Sequence, residues 1–452
     1  MSRASSVVLE RAAAGHRHGS ADTLRDYSIR VLTSSMAGVG QKGVTLTEAT
    51  ARALCAEEIG RWSVRGKRVL ALVPDTTRTA PIASMFRILH EELAAHGASL
   101  DVMIALGTHP PMSDEAIDRH LGLMHGDRVG KYARTRFMNH SWDEPSSLVS
   151  LGTLSEDEVE SLSEGRLRER VDVTINKLAL QYDLLLIVGP TFPHEVIGFS
   201  GGNKYLFPGI SGRPIIDAFH WLGALVTSPH LMGIKRTPVR AIVDRAASLV
   251  PVERKCVSLV VDGRHLVGLY LGSPEEAWSA AADLSGQIHV RYVDHPFRRV
   301  LSCAPAMYEE LWVGGKCVYK LEPVVADGGE LVVYAPHISR VSTTHGKAIH
   351  EVGYHVRDYL LAHMNRFAHV PRGVLAHSAH VKGAGAYESG VERPRFRVTL
   401  GTSIGESECR ALNLDYRDPG SIDVDEWRNA DDGETLYVPK AGETLFRLAP
   451  TG

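Results

Sequence analysis

Cysteine is scarce in this chain. The 452 residues hold five cysteines (Cys55, Cys256, Cys303, Cys317 and Cys409), with no CxxC pair among them. That excludes a disulfide-stapled scaffold and a cysteine-built zinc site, and it suits a reducing cytoplasm. Charge of one sign is lacking too: 50 basic residues face 53 acidic ones, for a formal charge of −3. No broad field attracts nucleic acid or an anionic lipid surface, so neither is expected as a partner. Apolar runs are short. None approaches the ~18 residues of a membrane-spanning helix, and residues 1–27, rich in Ser, Arg, Ala and His, contain no signal-peptide core. They read as a mobile arm.

What is present is an ordinary globular composition, 44% hydrophobic and 23% charged, long enough for two or three domains. Short apolar runs at Lys67–Pro74, Ser99–Leu106 and Asp183–Val188 predict buried strands. A helical pattern from Pro81 to His96, closed by Gly97, separates the first two, and Ser113 caps another helix. Strands alternating with helices imply parallel βαβ units. The pattern restarts at Arg299–Cys303, continues as helix through Lys320, and reaches a strand at Glu330–Tyr334 after a Gly328-Gly329 turn. The expected fold is α/β: two α/β domains with mostly parallel sheets, residues 1–285 and 286–430. Residues 431–452 form a tail that packs back on the first domain, and the site lies in the interdomain cleft.

Open parallel sheets bind ligands beyond the carboxyl ends of their strands. Three polar clusters fall there: Asp75-Thr76-Thr77-Arg78, Gly107-Thr108-His109-Pro110, and Pro193-His194 followed by Gly198-Phe199-Ser200-Gly201-Gly202-Asn203-Lys204. Arg78 offers the planar fork that a carboxylate matches. Asp75 would hold a ribose hydroxyl or orient the arginine; equally, the two could pair and cap the next helix. Histidine is the side chain whose unperturbed pKa, about 6.5, suits both taking and giving a proton, which makes His109 and His194 candidates. Two such groups facing one carbon from opposite sides are what inversion of a stereocentre requires, whereas either alone could be a loop histidine.

The glycine-rich run is not a P-loop, because Gly202 is followed by Asn203, Lys204 and Tyr205 rather than by Lys-Ser/Thr. Gly201 and Gly202 can still expose backbone N–H groups to a phosphate. His220 sits in an apolar helical stretch, Ile215–Leu225, as a core histidine or a single metal ligand. Lys316 would reach a substrate anion across the cleft or be a surface charge. His337, His345, His350 and His355 fit no metal motif and read as pocket or loop residues.

In order and spacing these clusters resemble the lactate racemase family that carries a nickel-pincer nucleotide. The matching pieces are Asp75 to Arg78, Gly107 to His109, His194 ten residues before Lys204 within GFSGGNKYLFPG, and His220 sixteen beyond that lysine. The resemblance implies a racemase or epimerase of a 2-hydroxy acid, with a small-molecule substrate. Lys204 would hold the nucleotide covalently, with Asp75, Gly201 and Gly202 beside it. His220 would ligate nickel, His109 and His194 would be the acid–base pair, and Arg78 and Lys316 would bind substrate. It also implies cofactor-biosynthesis proteins as loading partners and leaves a homo-oligomer open. Trp312 and Val313 stand where the lactate enzymes have a Tyr-Gln pair. An aldonate of the gluconate or mannonate type is therefore expected, with lactate or an aromatic 2-hydroxy acid as the alternative. A Schiff-base enzyme using Lys204 and a non-catalytic nucleotide- or sugar-acid-binding protein are the competing readings.

Overall fold

A computed structural model describes residues 29–32 and 36–450; the arm expected over residues 1–27 lies outside them. The first half is built on an eight-stranded sheet. Its strands in chain order are β1 (Ile29–Leu32), β2 (Met36–Gly40), β3 (Arg68–Val73), β4 (Ser99–Ile104), β5 (Phe137–Asn139), β6 (Leu184–Pro190), β7 (Glu253–Asp262) and β8 (His265–Gly272). Across the sheet they lie β1-β2-β8-β7-β6-β3-β4-β5. β7, β6, β3, β4 and β5 are parallel, and β8, β2 and β1 close one edge antiparallel. Both faces are covered, which is why β3 and β6 read as continuous apolar runs. Leu70, Leu72, Leu185 and Ile187 enter one core cluster, and Val69, Ala71, Val73, Leu184 and Leu186 the other.

The second half carries a fully parallel sheet. Its strands are β9 (Phe297–Cys303), β10 (Val325–Ala335), β11 (Arg397–Thr402), β12 (Asp415–Tyr416) and β13 (Thr435–Val438), ordered β12-β11-β10-β9-β13. Gly328-Gly329 does not end a loop as expected. It lies inside β10, where Gly328 adopts φ +73 and the register against β9 shifts, so the turn residues make a bulge.

The expected boundary at residue 285 falls inside a helix. The helix Pro274–His289 packs on β7 and β8 and runs past residue 285. Of the tail, β13 is an edge strand of the second sheet. Leu445–Leu448 pairs in parallel with Val290–Val293, which links the halves. Arg447 donates to the Met232 and Pro229 carbonyls of the first half. One core cluster, running from Leu70 through Phe207 to Tyr308 and Leu375, is continuous through both halves. Among the described residues no helix is long and apolar enough to cross a membrane.

In the first sheet the chain moves outward from β3 to β5 on one side and from β6 to β7 on the other. The order therefore reverses between β3 and β6, which opens a crevice at their carboxyl ends. In the second sheet it reverses between β9 and β13. The segments leaving those strands, with Tyr308, Gly442 and Glu443, share a small side cavity with Arg78 and His194. The two reversal points thus face each other.

Candidate active site

A cavity of about 150 Å³, partly open to solvent, lies between the halves. Asp75, Arg78, His109, His194, Gly201, Lys204, His220 and Lys316 all line it. Gly202 does not: a Cβ there would meet the Trp278 side chain at 3.0 Å.

The Asp75 carboxylate is fixed by three donors. The Thr77 amide and hydroxyl bind Oδ1 at 3.0 and 2.6 Å, and His109 Nδ1 binds Oδ2 at 2.5 Å. Burial opposes ionisation of Asp75, but His109 and these hydrogen bonds outweigh it and hold the carboxyl well below its usual range. An ionised carboxylate only accepts, so His109 carries its proton on Nδ1 and leaves the Nε2 lone pair free. Asp75 neither caps the helix Ile82–Ala95, which has no side-chain cap, nor hydrogen-bonds Arg78; its side-chain partners are Thr77 and His109.

His194 is buried, and its Nδ1 accepts from the Val196 amide at 3.2 Å. Burial, then the positive charges of Lys204, Arg78 and Lys320, push its pKa well below 6.5 against the pull of Glu195. The ring is neutral at pH 7. His220, on the helix Arg213–Val226, donates Nδ1–H to the Ile216 carbonyl at 2.7 Å. Its Nε2 is left bare, the arrangement that fixes the tautomer of a metal-ligating imidazole. Among the described residues no cluster of three or more His, Cys, Asp or Glu side chains could hold a metal ion.

The glycine-rich loop is clamped from below. Arg240 stacks on Trp278, 4.0 Å from its ring centroid, and donates to the Phe199 and Gly201 carbonyls at 2.6 and 3.4 Å. Trp278 donates to the Ser200 carbonyl at 2.8 Å. Gly198 has φ +90, and a Cβ there would lie 1.9 Å from the Ile234 carbonyl oxygen, so only glycine fits. This frame presents Lys204 at the cavity. The Lys204 side chain makes no hydrogen bond or ion pair among the described residues, and its Nζ lies 5.7 Å from the Phe219 ring centroid. Burial first, then the Arg78 charge, lower its pKa to about 7.

Arg78 likewise has no hydrogen bond or ion pair among the described residues, and Lys316 Nζ is buried without a hydrogen-bond partner, 4.8 Å from the Tyr308 ring centroid. Burial, then Arg78, pushes Lys316 well below its ordinary pKa. Three basic side chains without partners around one cavity leave room for anionic groups on a ligand.

Several lining residues escaped the sequence reading. His377 and His380 lie on the helix Arg372–Lys382, which packs against Arg213–Val226. His377 donates Nε2–H to the Trp312 carbonyl at 3.0 Å and stacks on the Trp312 ring at 4.1 Å. His380 Nδ1 is 2.6 Å from Ser228 Oγ. His377 Nδ1 and His380 Nε2 are buried and lack hydrogen-bond partners. Outside the cavity lining, His345 also packs on Trp312, at 4.3 Å between ring centroids, and reaches Thr108 Oγ1 across the cleft at 3.4 Å. Glu195 and Tyr319 complete the wall. The available signal was an i, i+3 histidine pair on an apolar helix, Ala376–Val381. His337, His345, His350 and His355 do not line this cavity.

Residues 21–232 match the family described as lactate racemase N-terminal domain. Lactate racemases of Lactiplantibacillus plantarum and Thermoanaerobacterium thermosaccharolyticum are 27% and 26% identical over 48% and 49% of this chain. The alignments cover 48% of each, so the chain spans about half the length of the curated relatives it matches. A crystal structure of a protein from Thermotoga maritima is 32% identical, with a TM-score of 0.82 over 90% of this chain and 100% of that one. The lactate racemase apoprotein from Thermoanaerobacterium thermosaccharolyticum shares the fold at 19% identity, with a TM-score of 0.66 over 85% of this chain and 87% of that one. With those matches laid over a site of this composition, residues 21–232 carry the N-terminal domain of the lactate racemase family.

Proposed function

We propose that this protein is an isomerase that inverts the C2 carbinol of a 2-hydroxy acid. The observation that carries the reading is the set around the cavity: two imidazoles, His109 and His194, with Arg78 and Lys316 unpaired beside them. Arg78 and Lys316 bind the substrate carboxylate. His109, its Nδ1–H held by Asp75, takes the hydroxyl proton at Nε2 and returns it in the reverse direction. His194 plays the same part toward the opposite face.

The residues present fit a nickel-pincer nucleotide. Lys204 has an amine without a partner and a pKa lowered to about 7, as covalent attachment needs, and His220 keeps Nε2 bare. Lys204 would hold the nucleotide and His220 the nickel. When bound, the group supplies a reversible acceptor for the C2 hydride.

The substrate reading is a hydroxylated sugar acid of the aldonate type. Beyond Lys316 the wall is Trp312, His377 and His380, and two of its ring nitrogens lack partners. An unsatisfied buried polar group costs about 1–3 kcal/mol, and a chain of hydroxyls supplies partners that the methyl of lactate does not. Lactate is the second reading, favoured by the names of the two curated relatives.

The test is protein produced together with cofactor-making enzymes, with intact mass and nickel content measured and inversion assayed over aldonates and short 2-hydroxy acids. A nucleotide-sized adduct on the Lys204 peptide and inversion of aldonates above lactate are expected. Inversion of neither class by adduct-bearing protein would overturn the reading.

A further inference from the structure

Each acid–base histidine has a carboxylate behind it. Glu195 follows His194 in a tight hairpin in which Pro193–His194 pairs with Gly198–Phe199. Its Oε2 lies 3.2 Å from His194 Nδ1, and the Val196 amide meets the same nitrogen at 3.2 Å. His194 Nδ1 therefore sits between a donor and an acceptor. His109 has no such choice, since the hydrogen bond of its Nδ1 runs to Asp75.

The two partners of His194 ask for opposite tautomers. An amide N–H needs a lone pair on Nδ1, which puts the ring proton on Nε2 and removes the base. A carboxylate needs the proton on Nδ1, which leaves Nε2 bare. Glu195 is placed to compete. It lines both the main cavity and the side cavity. Burial opposes its ionisation, but His194, its own backbone N–H, His380 and Arg78 hold the carboxyl well below its usual range. Tyr319 lies against it, its hydroxyl kept protonated first by burial and then by the Glu195 charge.

We propose that Glu195 is the positioning residue of His194, drawing the ring into the Nδ1–H tautomer against the Val196 amide, as Asp75 does for His109 unopposed. The assignment of a catalytic benefit rests on the racemase reading above. In one direction His194 Nε2 takes the substrate hydroxyl proton and becomes imidazolium, its Nδ1–H on Glu195. In the other, the Nε2 proton returns to the substrate oxygen and the ring is neutral again, with Nδ1–H still on Glu195.

The test is ¹⁵N spectroscopy of histidine-labelled full-length protein without cofactor, His194 being assigned by its loss in His194→Gln. In the natural protein Nδ1 is expected in the protonated range. In Glu195→Gln the two ring nitrogens exchange character, as Val196 takes over. Glu195→Asp, whose shorter carboxylate retreats from Nδ1, is expected part-way and carries the measurement should the Gln variant not fold. In loaded enzyme, Glu195→Gln is expected to lower kcat about 10- to 100-fold, the scale for losing the partner that orients an imidazole, with KM little changed and Asp recovering part of the loss. His194 shifts that ignore both substitutions would overturn the proposal. Shifts that move as expected in a protein that inverts no 2-hydroxy acid would leave Glu195 standing and sink the racemase reading instead.

Discussion

Asp75 and His109 lie 34 residues apart in the chain and meet at 2.5 Å, because they leave the carboxyl ends of the adjacent strands β3 and β4. A parallel sheet thus delivers, at neighbouring positions, a carboxylate and the imidazole it orients. The two Thr77 donors fix the carboxylate before the histidine is added, so the tautomer of His109 is set by backbone as much as by charge.

Asp75→Asn tests that relationship. The amide can donate to Nδ1 and so favours the wrong tautomer. In a catalytic triad the equivalent change costs about 10⁴ in kcat. A loss of about 10²- to 10⁴-fold in kcat is expected here, with covalent loading unaffected by intact mass. Full kcat in this variant would mean that His109 does not work through Asp75.

Lys204 should react as an amine near neutral pH. Its pKa, lowered to about 7 mainly by burial, leaves the neutral nucleophile populated above that pH, where exposed lysines with pKa of about 10.4 stay protonated. Peptide mapping after brief treatment of unloaded protein with a small amine-selective reagent should find Lys204 labelled early, with half-maximal rate near pH 7. Lys204→Ala should also abolish the cofactor adduct.

Metal and nucleotide should separate at His220. Because the ring is held by the Ile216 carbonyl with Nε2 bare, His220→Ala is expected to keep the adduct on Lys204 while losing nickel during dialysis. Retention of nickel at the natural level would remove His220 as the ligand.

Substrate choice should respond to the second half. His380→Leu removes a polar wall group without touching the first sheet, and aldonate turnover relative to lactate is expected to fall at least about 10-fold. That corresponds to about 1.4 kcal/mol, within the range for one lost buried hydrogen bond. An unchanged ratio of kcat/KM values would place the substrate's hydroxyls elsewhere.

Acid should unfold the protein before its carboxylates titrate. Burial, first among the causes, lowers the pKa of His140, His289, His345 and His380 to about 4 and of His377 to about 3, against about 6.5 unfolded. Below pH 6.5 the unfolded chain binds more protons than the folded one, so stability falls as pH falls. The urea midpoint should drop between pH 6.5 and 5; a flat midpoint over that range would contradict the burial of these rings.

The strands β3, β4 and β6 were legible because each is a short apolar run ending in a polar cluster, and the parallel sheet makes those ends converge. The antiparallel edge was missed although β7 and β8 meet at an Asp262-Gly263 turn with Gly263 at φ +59, an available hairpin signal. His377 and His380 were illegible for a different reason. They reach the cavity only because the helix Arg372–Lys382 crosses onto the helix of His220, a packing that no local pattern encodes. Glu195 was hidden by its neighbour, since adjacency in sequence does not reveal which ring nitrogen a carboxylate meets.

The strand pair Val290–Val293 and Leu445–Leu448 has a mechanical consequence. The second half leaves the first along one of these strands and comes back along the other, where Arg447 pins it to the Met232 and Pro229 carbonyls. A body moored at both ends loses the swivel that a single tether permits. Relative motion of the halves would have to break that strand pairing as well as the contact that His345 makes across the cleft to Thr108.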